Sequence, residues 1–251
     1  MLGSSVRSVP RAALRVVAAG LAYVTIIVGI SSCSLLHSDH ATQATRTPKP
    51  LAGLSAAKIF TRAVADMGRA RSVHIRGVVS QPRIRLDLRL LQSKGCVGTM
   101  AKTGHGAFGL IVIGTTVWVK PDRKFLHSIG APPAALRKMS GKYLKSTAAG
   151  KFRPLVRLCR LRVWARLLRK VSVAQWGGVT RTTLAGRPAI MLIGTGKTGR
   201  IYVSSASEPL LLRISHRTKA GGILTFSSYG ARVTLRRPPA SRTIEGRRFG
   251  L

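Results

Sequence analysis

The stretch Arg83-Ile84-Arg85-Leu86-Asp87-Leu88-Arg89-Leu90-Leu91 constrains the fold of this chain more than any other. Apolar and polar residues alternate through it up to Leu90, and only a β-strand places successive side chains on opposite faces. Ile84, Leu86, Leu88 and Leu90 point one way; Arg83, Arg85, Asp87 and Arg89 point the other. One face is apolar and the other wet, which is the pattern of an antiparallel sheet with a single buried side.

Residues 73–79 carry a second, weaker alternation, and further strand signals follow at 96–103, 107–113 and 116–120. Gly-containing turns separate them, and Gly114-Thr115 predicts a tight hairpin. The last third returns to the same pattern at 179–184, 188–193, 200–204, 210–216, 223–228 and 232–235. Two segments have helical spacing instead. In residues 55–70, Ser55 is placed to cap, and Ile59, Phe60, Ala63, Val64 and Met67 make one apolar face. In residues 152–171, Phe152, Leu155, Val156, Cys159, Val163 and Leu167 form a stripe into which Arg166 intrudes, so the helix is expected to break near Ala165. Helix, strands, helical insertion and strands again predict an α+β fold with a mainly antiparallel sheet. Nothing separates two cores, so residues 54–240 read as a single domain and 241–251 as a basic tail.

The N-terminal region has a different composition. Arg7, Arg11 and Arg15 precede an almost wholly apolar run over residues 16–31, the pattern of an export signal. Ile30-Ser31-Ser32-Cys33 then resembles the bacterial lipobox: an aliphatic residue, two small residues and a Cys. In that class of signal the Cys carries a diacylglycerol thioether and the leader is removed before it. Two or three acyl chains hold a protein to a membrane where one does so only marginally, at about 0.8 kcal/mol per buried CH₂. The alternative is an uncleaved anchor, since the run approaches the roughly 18 residues a spanning helix needs. The lipoprotein reading makes 1–32 a signal peptide, Cys33 the lipidation site and 33–53 a flexible tether rich in Ser, Thr, Ala and Pro. It also leaves Cys96 and Cys159 as an even pair in an exported chain, where disulfides persist. Two free buried thiols are the other reading of that pair.

Charge bounds the function. There are 43 Lys and Arg against 6 acids, a formal charge of +37. The acids are Asp39, Asp66, Asp87, Asp122, Glu208 and Glu245, too few and too scattered for chemistry that needs clustered carboxylates. Removing the leader takes away three Arg and no acid, so the charge belongs to the exported domain. Gly194-Thr195-Gly196-Lys197-Thr198-Gly199 imitates a phosphate loop, but Met191 stands where the first Gly is required and residues 200–204 read as a strand. No Gly-x-Ser-x-Gly frames a nucleophile, and His74, His105, His127 and His216 are scattered singly. No cofactor or metal is indicated, and a non-catalytic role is expected. A field of this sign attracts anionic lipid or acidic polymer. Nucleic acid is not expected, because the aromatics are spread out rather than interleaved with the basic strands.

Several stretches resemble a known group. Gly95-Cys96-Val97-Gly98-Thr99, Val112-Ile113-Gly114-Thr115-Thr116-Val117-Trp118-Val119-Lys120 and Gly141-Lys142-Tyr143-Leu144 are similar to actinobacterial envelope lipoproteins of the LolA-like, LppX/LprG type. Ile201-Tyr202-Val203, Glu208-Pro209-Leu210 and Leu224-Thr225-Phe226-Ser227-Ser228-Tyr229-Gly230 continue the likeness, which covers most of residues 55–240. The resemblance implies a half-barrel, a curved antiparallel sheet whose concave apolar face is covered by helices. It further implies a cavity on that face, where some members carry acylated lipids or lipoproteins. Ile84, Leu86, Leu88 and Leu90 would then line an acyl-chain pocket; the alternative is that they meet helix side chains at ordinary core density. The corresponding function is a lipid-anchored protein on the outer face of the cytoplasmic membrane that binds an acyl-lipid ligand. The competing one is a structural or interaction lipoprotein with a filled core, held against anionic envelope surfaces by its charge.

Overall fold

Strand-forming segments dominate the chain after residue 71, and in the computed structural model they pair into one open, curved sheet of twelve strands. The structure describes Leu51 and residues 53–249, apart from 81–82, 150–151, 172–175, 196–198, 207 and 217–221. The leader, Cys33 and most of the tether lie outside the described residues, as does the Gly196-Lys197-Thr198 centre of the Gly-rich turn.

Helix α1 (Ala56–Arg69) leads into a meander of β1 (Ser72–Val79), β2 (Ile84–Leu91), β3 (Gly95–Lys102), β4 (Gly106–Ile113), β5 (Thr116–Pro121) and β6 (Tyr143–Thr147). Helices α2 (Arg123–Ser128) and α3 (Pro133–Met139) interrupt it before β6, and α4 (Arg153–Leu158) and α5 (Leu161–Arg169) follow β6. A second meander runs through β7 (Trp176–Leu184), β8 (Arg187–Gly194), β9 (Arg200–Ser204), β10 (Leu211–Ser215) and β11 (Ile223–Ser227). Strand β11 pairs with β1, which joins the two meanders at the middle of the sheet. All these pairings are antiparallel; β12 (Thr243–Glu245) alone runs parallel to its neighbour, β6. The fold is α+β, a half-barrel with β7 and β12 as its free edges.

Neighbouring strands approach closely at two glycines of the inner face. A Cβ on Gly98 would lie 1.9 Å from the Asp87 carbonyl oxygen, and one on Gly77 1.9 Å from that of Ile223. Gly77 also has φ +149, a conformation that side chains disfavour. Adjacent strands bend closer together here than any larger residue would allow.

The helices cover the concave side. Ser55 caps α1 through its hydroxyl, which accepts from the Lys58 N–H, and Ala56, Ile59, Phe60, Ala63, Val64 and Met67 are buried. These residues share one core cluster with α4, α5 and the inward side chains of both meanders. A second, smaller cluster of Leu126, Met139 and Leu144 lies under α2 and α3, with Ile244 and Phe249 against it.

Four features differ from the sequence pattern. The 152–171 segment breaks at Cys159-Arg160, not near Ala165, because Arg160 is extended (φ −107, ψ 116) and starts a new helix. The break resets the helical phase: Leu161, Trp164, Ala165 and Leu168 are buried, whereas Leu167 of the expected stripe is 48% exposed. Residues 232–235 belong to no strand, although Val233 and Leu235 are half-buried between exposed neighbours. Two short helices, α2 and α3, and strand β6 fall in a region without clear periodicity; α2 is started by Asp122, whose carboxylate accepts from the Phe125 N–H at 2.6 Å and from the Ala107 N–H at 2.8 Å. The basic segment 241–251 contributes β12, because its apolar Ile244 and Phe249 find the second cluster.

Candidate functional site

Strand register stacks the inner face into rows. One row runs Phe226, Ile75, Leu88, Gly98, Leu110 and Val119; the next runs Val73, Leu90, Cys96, Val112 and Val117. Leu86 lies between Gly77 and Met100 in a third. Leu86, Leu88 and Leu90 are buried, and Ile84, at the end of the strand, is half-buried. The structure brings these four to one face and sets the first three in a single cluster with Ile59, Phe60, Val64 and Met67 of α1 and Trp164, Ala165 and Leu168 of α5. The middle of the concave face is thus filled by helix side chains.

One end is different. Beside the Leu90–Cys96–Val112 row lies a cavity of about 290 Å³, lined by the β2–β3 turn, by Val112 and Gly114, and by the corner between α4 and α5. Val112, Val156 and Leu161 supply apolar wall, and Lys94, Arg160 and Arg162 supply charge. Two bonds hold the corner. Cys96 on β3 and Cys159 at the end of α4 form a disulfide with Cα atoms 5.1 Å apart. The Trp164 indole Nε1 donates to the Leu158 carbonyl oxygen at 2.7 Å. The volume is near the lower end of small-ligand pockets, roughly 300–1,000 Å³.

A second groove has another character. Asp66, Arg69, Arg71, Glu208, Leu210 and Tyr229 line it. Burial pushes the Asp66 carboxyl upward, against the pull of the Arg69 guanidinium and with help from the nearby Glu208 charge. Burial likewise pushes the Tyr229 hydroxyl up, so it stays neutral and donates to the Leu211 carbonyl oxygen at 2.5 Å. On the outer face, the His74 ring Nε2 meets the Asp87 carboxylate at 2.7 Å, and Arg76 sits 3.6 Å from the same group. Lys145 pairs with Glu245 at 2.9 Å across the β6–β12 contact. Asp66, Asp87, Asp122 and Glu245 are therefore all engaged with nearby basic or backbone groups. Among the described residues no group of three His, Cys, Asp or Glu could hold a metal ion. None of their helices is long and apolar enough to cross a membrane.

The cations at the cavity, Lys94, Arg160 and Arg162, carried no signal of their own in the sequence. In a chain with this many Lys and Arg, only the tertiary position of the α4–α5 corner distinguishes them.

No family model matches the chain, and no curated protein does. Solved structures do. LprF from Mycobacterium bovis is similar at 16% identity and a TM-score of 0.46, over 72% of this chain and 96% of that one. An uncharacterized conserved protein from Thermus thermophilus is similar at 12% identity and a TM-score of 0.34, over 76% and 98%. A LolA superfamily protein from Nitrosomonas europaea follows at 11% identity and a TM-score of 0.23, over 72% and 95%. These are likenesses of overall fold, and at such identities they transfer no residue's role to this chain.

Proposed function

We propose that this protein is a non-catalytic lipoprotein of the cell envelope, anchored through a lipidated Cys33 to the outer face of the cytoplasmic membrane, that binds or carries an acyl-lipid ligand in its half-barrel. The observation that carries this reading is the concave face itself: rows of aliphatic side chains, roofed by α1, α4 and α5, that continue into a cavity of about 290 Å³ at the disulfide end. Aliphatic walls suit acyl chains, whose burial gains about 25 cal/mol per Å² with little directional demand. The structural engagement of the few carboxylates supports a non-catalytic role. Protein purified gently from membranes should release stoichiometric acylated lipid on organic extraction, read by mass spectrometry. Recovery of none from protein that retains its fold would reject the carrier reading.

A second reading rests on a specific observation too. Leu86, Leu88 and Leu90 are covered by helix side chains, as in a filled core. On that reading the protein is a structural or interaction lipoprotein held to anionic lipid or polymer by its charge, and the extraction yields nothing.

Anchoring is tested separately. Cys33→Ala should leave only unprocessed precursor, seen as a band larger by the leader's mass. A mature species of normal size and membrane retention in that variant would exclude Cys33 as the modified residue.

A further inference from the structure

The corner beside the cavity has an outward surface of one sign. Every exposed ionisable residue from Arg153 to Lys170 is a cation, and the sequence holds no acid between Asp122 and Glu208. Arg162, Arg166 and Arg169 stand at i, i+4 and i+7, which puts them in one stripe along α5. Beside the stripe run Val163, half-buried, and Leu167, 48% exposed on a helix whose other side is sealed into the core. None of the ion pairs among the described residues involves α4 or α5. A cationic stripe flanked by an exposed Leu167 and a half-buried Val163 is the pattern of a helix that lies in a membrane interface, with charges at the headgroups and apolar groups below them. The outer face of the sheet carries Asp87, and the groove beneath the end of α1 carries Asp66 and Glu208.

We propose that the outer surface of α4 and α5 is a docking face for an anionic phospholipid bilayer, and that the cavity beside the disulfide opens onto it. Arg160 and Arg162 belong to both features, so a docked molecule presents the cavity to the headgroup layer. An amphiphile could then pass between bilayer and cavity with its acyl chain toward Val112, Val156 and Leu161 and its anionic headgroup among Lys94, Arg160 and Arg162. The purpose given to the cavity rests on the carrier reading; the docking face does not.

The test uses the mature chain from Ser34 on, which lacks the apolar leader and Cys33, so that an environment-sensitive fluorophore attaches to one introduced thiol and the leader binds no vesicle. Leu167→Cys reports the proposed face. Thr103→Cys, in the exposed β3–β4 turn at the opposite end of the strands from the cavity, is the control. In phosphatidylglycerol-rich vesicles the label at 167 should shift to the blue and resist iodide quenching, and the label at 103 should remain aqueous. Salt should reverse the protection, because screening shortens the field. Arg162→Gln, Arg166→Gln and Arg169→Gln together should lower the docked-to-undocked ratio by about a hundredfold, at about fivefold per basic side chain. Equal quenching at 167 in phosphatidylglycerol and in pure phosphatidylcholine vesicles would overturn the proposal, as would equal protection at 103. Protection that rises with protein concentration without vesicles would make the face a contact between copies instead. Lipid recovery from the wild-type protein is measured independently, so failure of docking and failure of the carrier reading give different results.

Discussion

Replacing Cys96 and Cys159 together by Ala should cost the folded protein roughly 4 kcal/mol. The bond closes a loop of 63 residues, and a cross-link of that span removes about this much chain entropy from the unfolded state. Both residues are buried, so the substitution adds a small packing loss to the entropic one. For a domain of this size the midpoint of thermal unfolding should fall by about 10 °C. Wild-type protein unfolded with reductant present should fall by a similar amount, which separates loss of the cross-link from damage by the substitutions. A difference below about 1 kcal/mol would mean that the link does not constrain the chain. The effect should also be local. Cys159 pins the end of α4 to β3, so the variant should open at the α4–α5 corner first, and trypsin should cut at the exposed Arg157 and Arg160 earlier than elsewhere. That corner walls the cavity, so the same variant should lose any lipid held there.

Much of the sheet was legible because its inner face is one-sided. The alternation at 83–91 appears as β2, and the predicted 200–204 segment is β9 with the same bounds. Helix α1 was legible for the matching reason: Ser55 and an unbroken apolar stripe agree on where it starts and which side it buries. The helical insertion was read less well. A stripe drawn through Val163 and Leu167 assumes continuous helical phase, and the extended Arg160 destroys that continuity. The corner is fixed by the disulfide to a strand 63 residues away, which no local pattern shows, and by the short-range Trp164–Leu158 bond within it. Strand β12 was hidden because three residues in a basic segment pair only when β6 is already in place. The cavity was illegible for the same cause. Its walls come from the β2–β3 turn, from β4 and from the α4–α5 corner, and no single stretch of sequence contains them.

Two substitutions at Leu88 should move stability and ligand binding in different ways. Leu88 is wholly buried in the row between Ile75 and Gly98, in one core cluster with side chains of α1 and α5. Leu88→Ala should therefore cost about 2–5 kcal/mol in lipid-free protein, from lost transfer energy and the void left behind. Gly98 lies beside the void and offers no side chain to fill it. If the leucine rows are where an acyl chain lies, added lipid should restore part of the loss, by about 2.7 kcal/mol at a hundred times its Kd. Leu88→Trp should cost about 1–3 kcal/mol through overpacking, and lipid should restore none of it, because the indole occupies the space a chain would need. The measurement is a set of urea unfolding curves for wild type and both variants, with and without a long-chain anionic phospholipid. The wild-type protein must yield its helix side chains to admit a chain, so its lipid shift should be smaller than that of Leu88→Ala. Equal shifts in all three proteins would remove Leu86, Leu88 and Leu90 from the ligand site and confine binding to the cavity at the disulfide. No shift in any of them would leave the concave face as a core alone and favour the structural or interaction reading over the carrier.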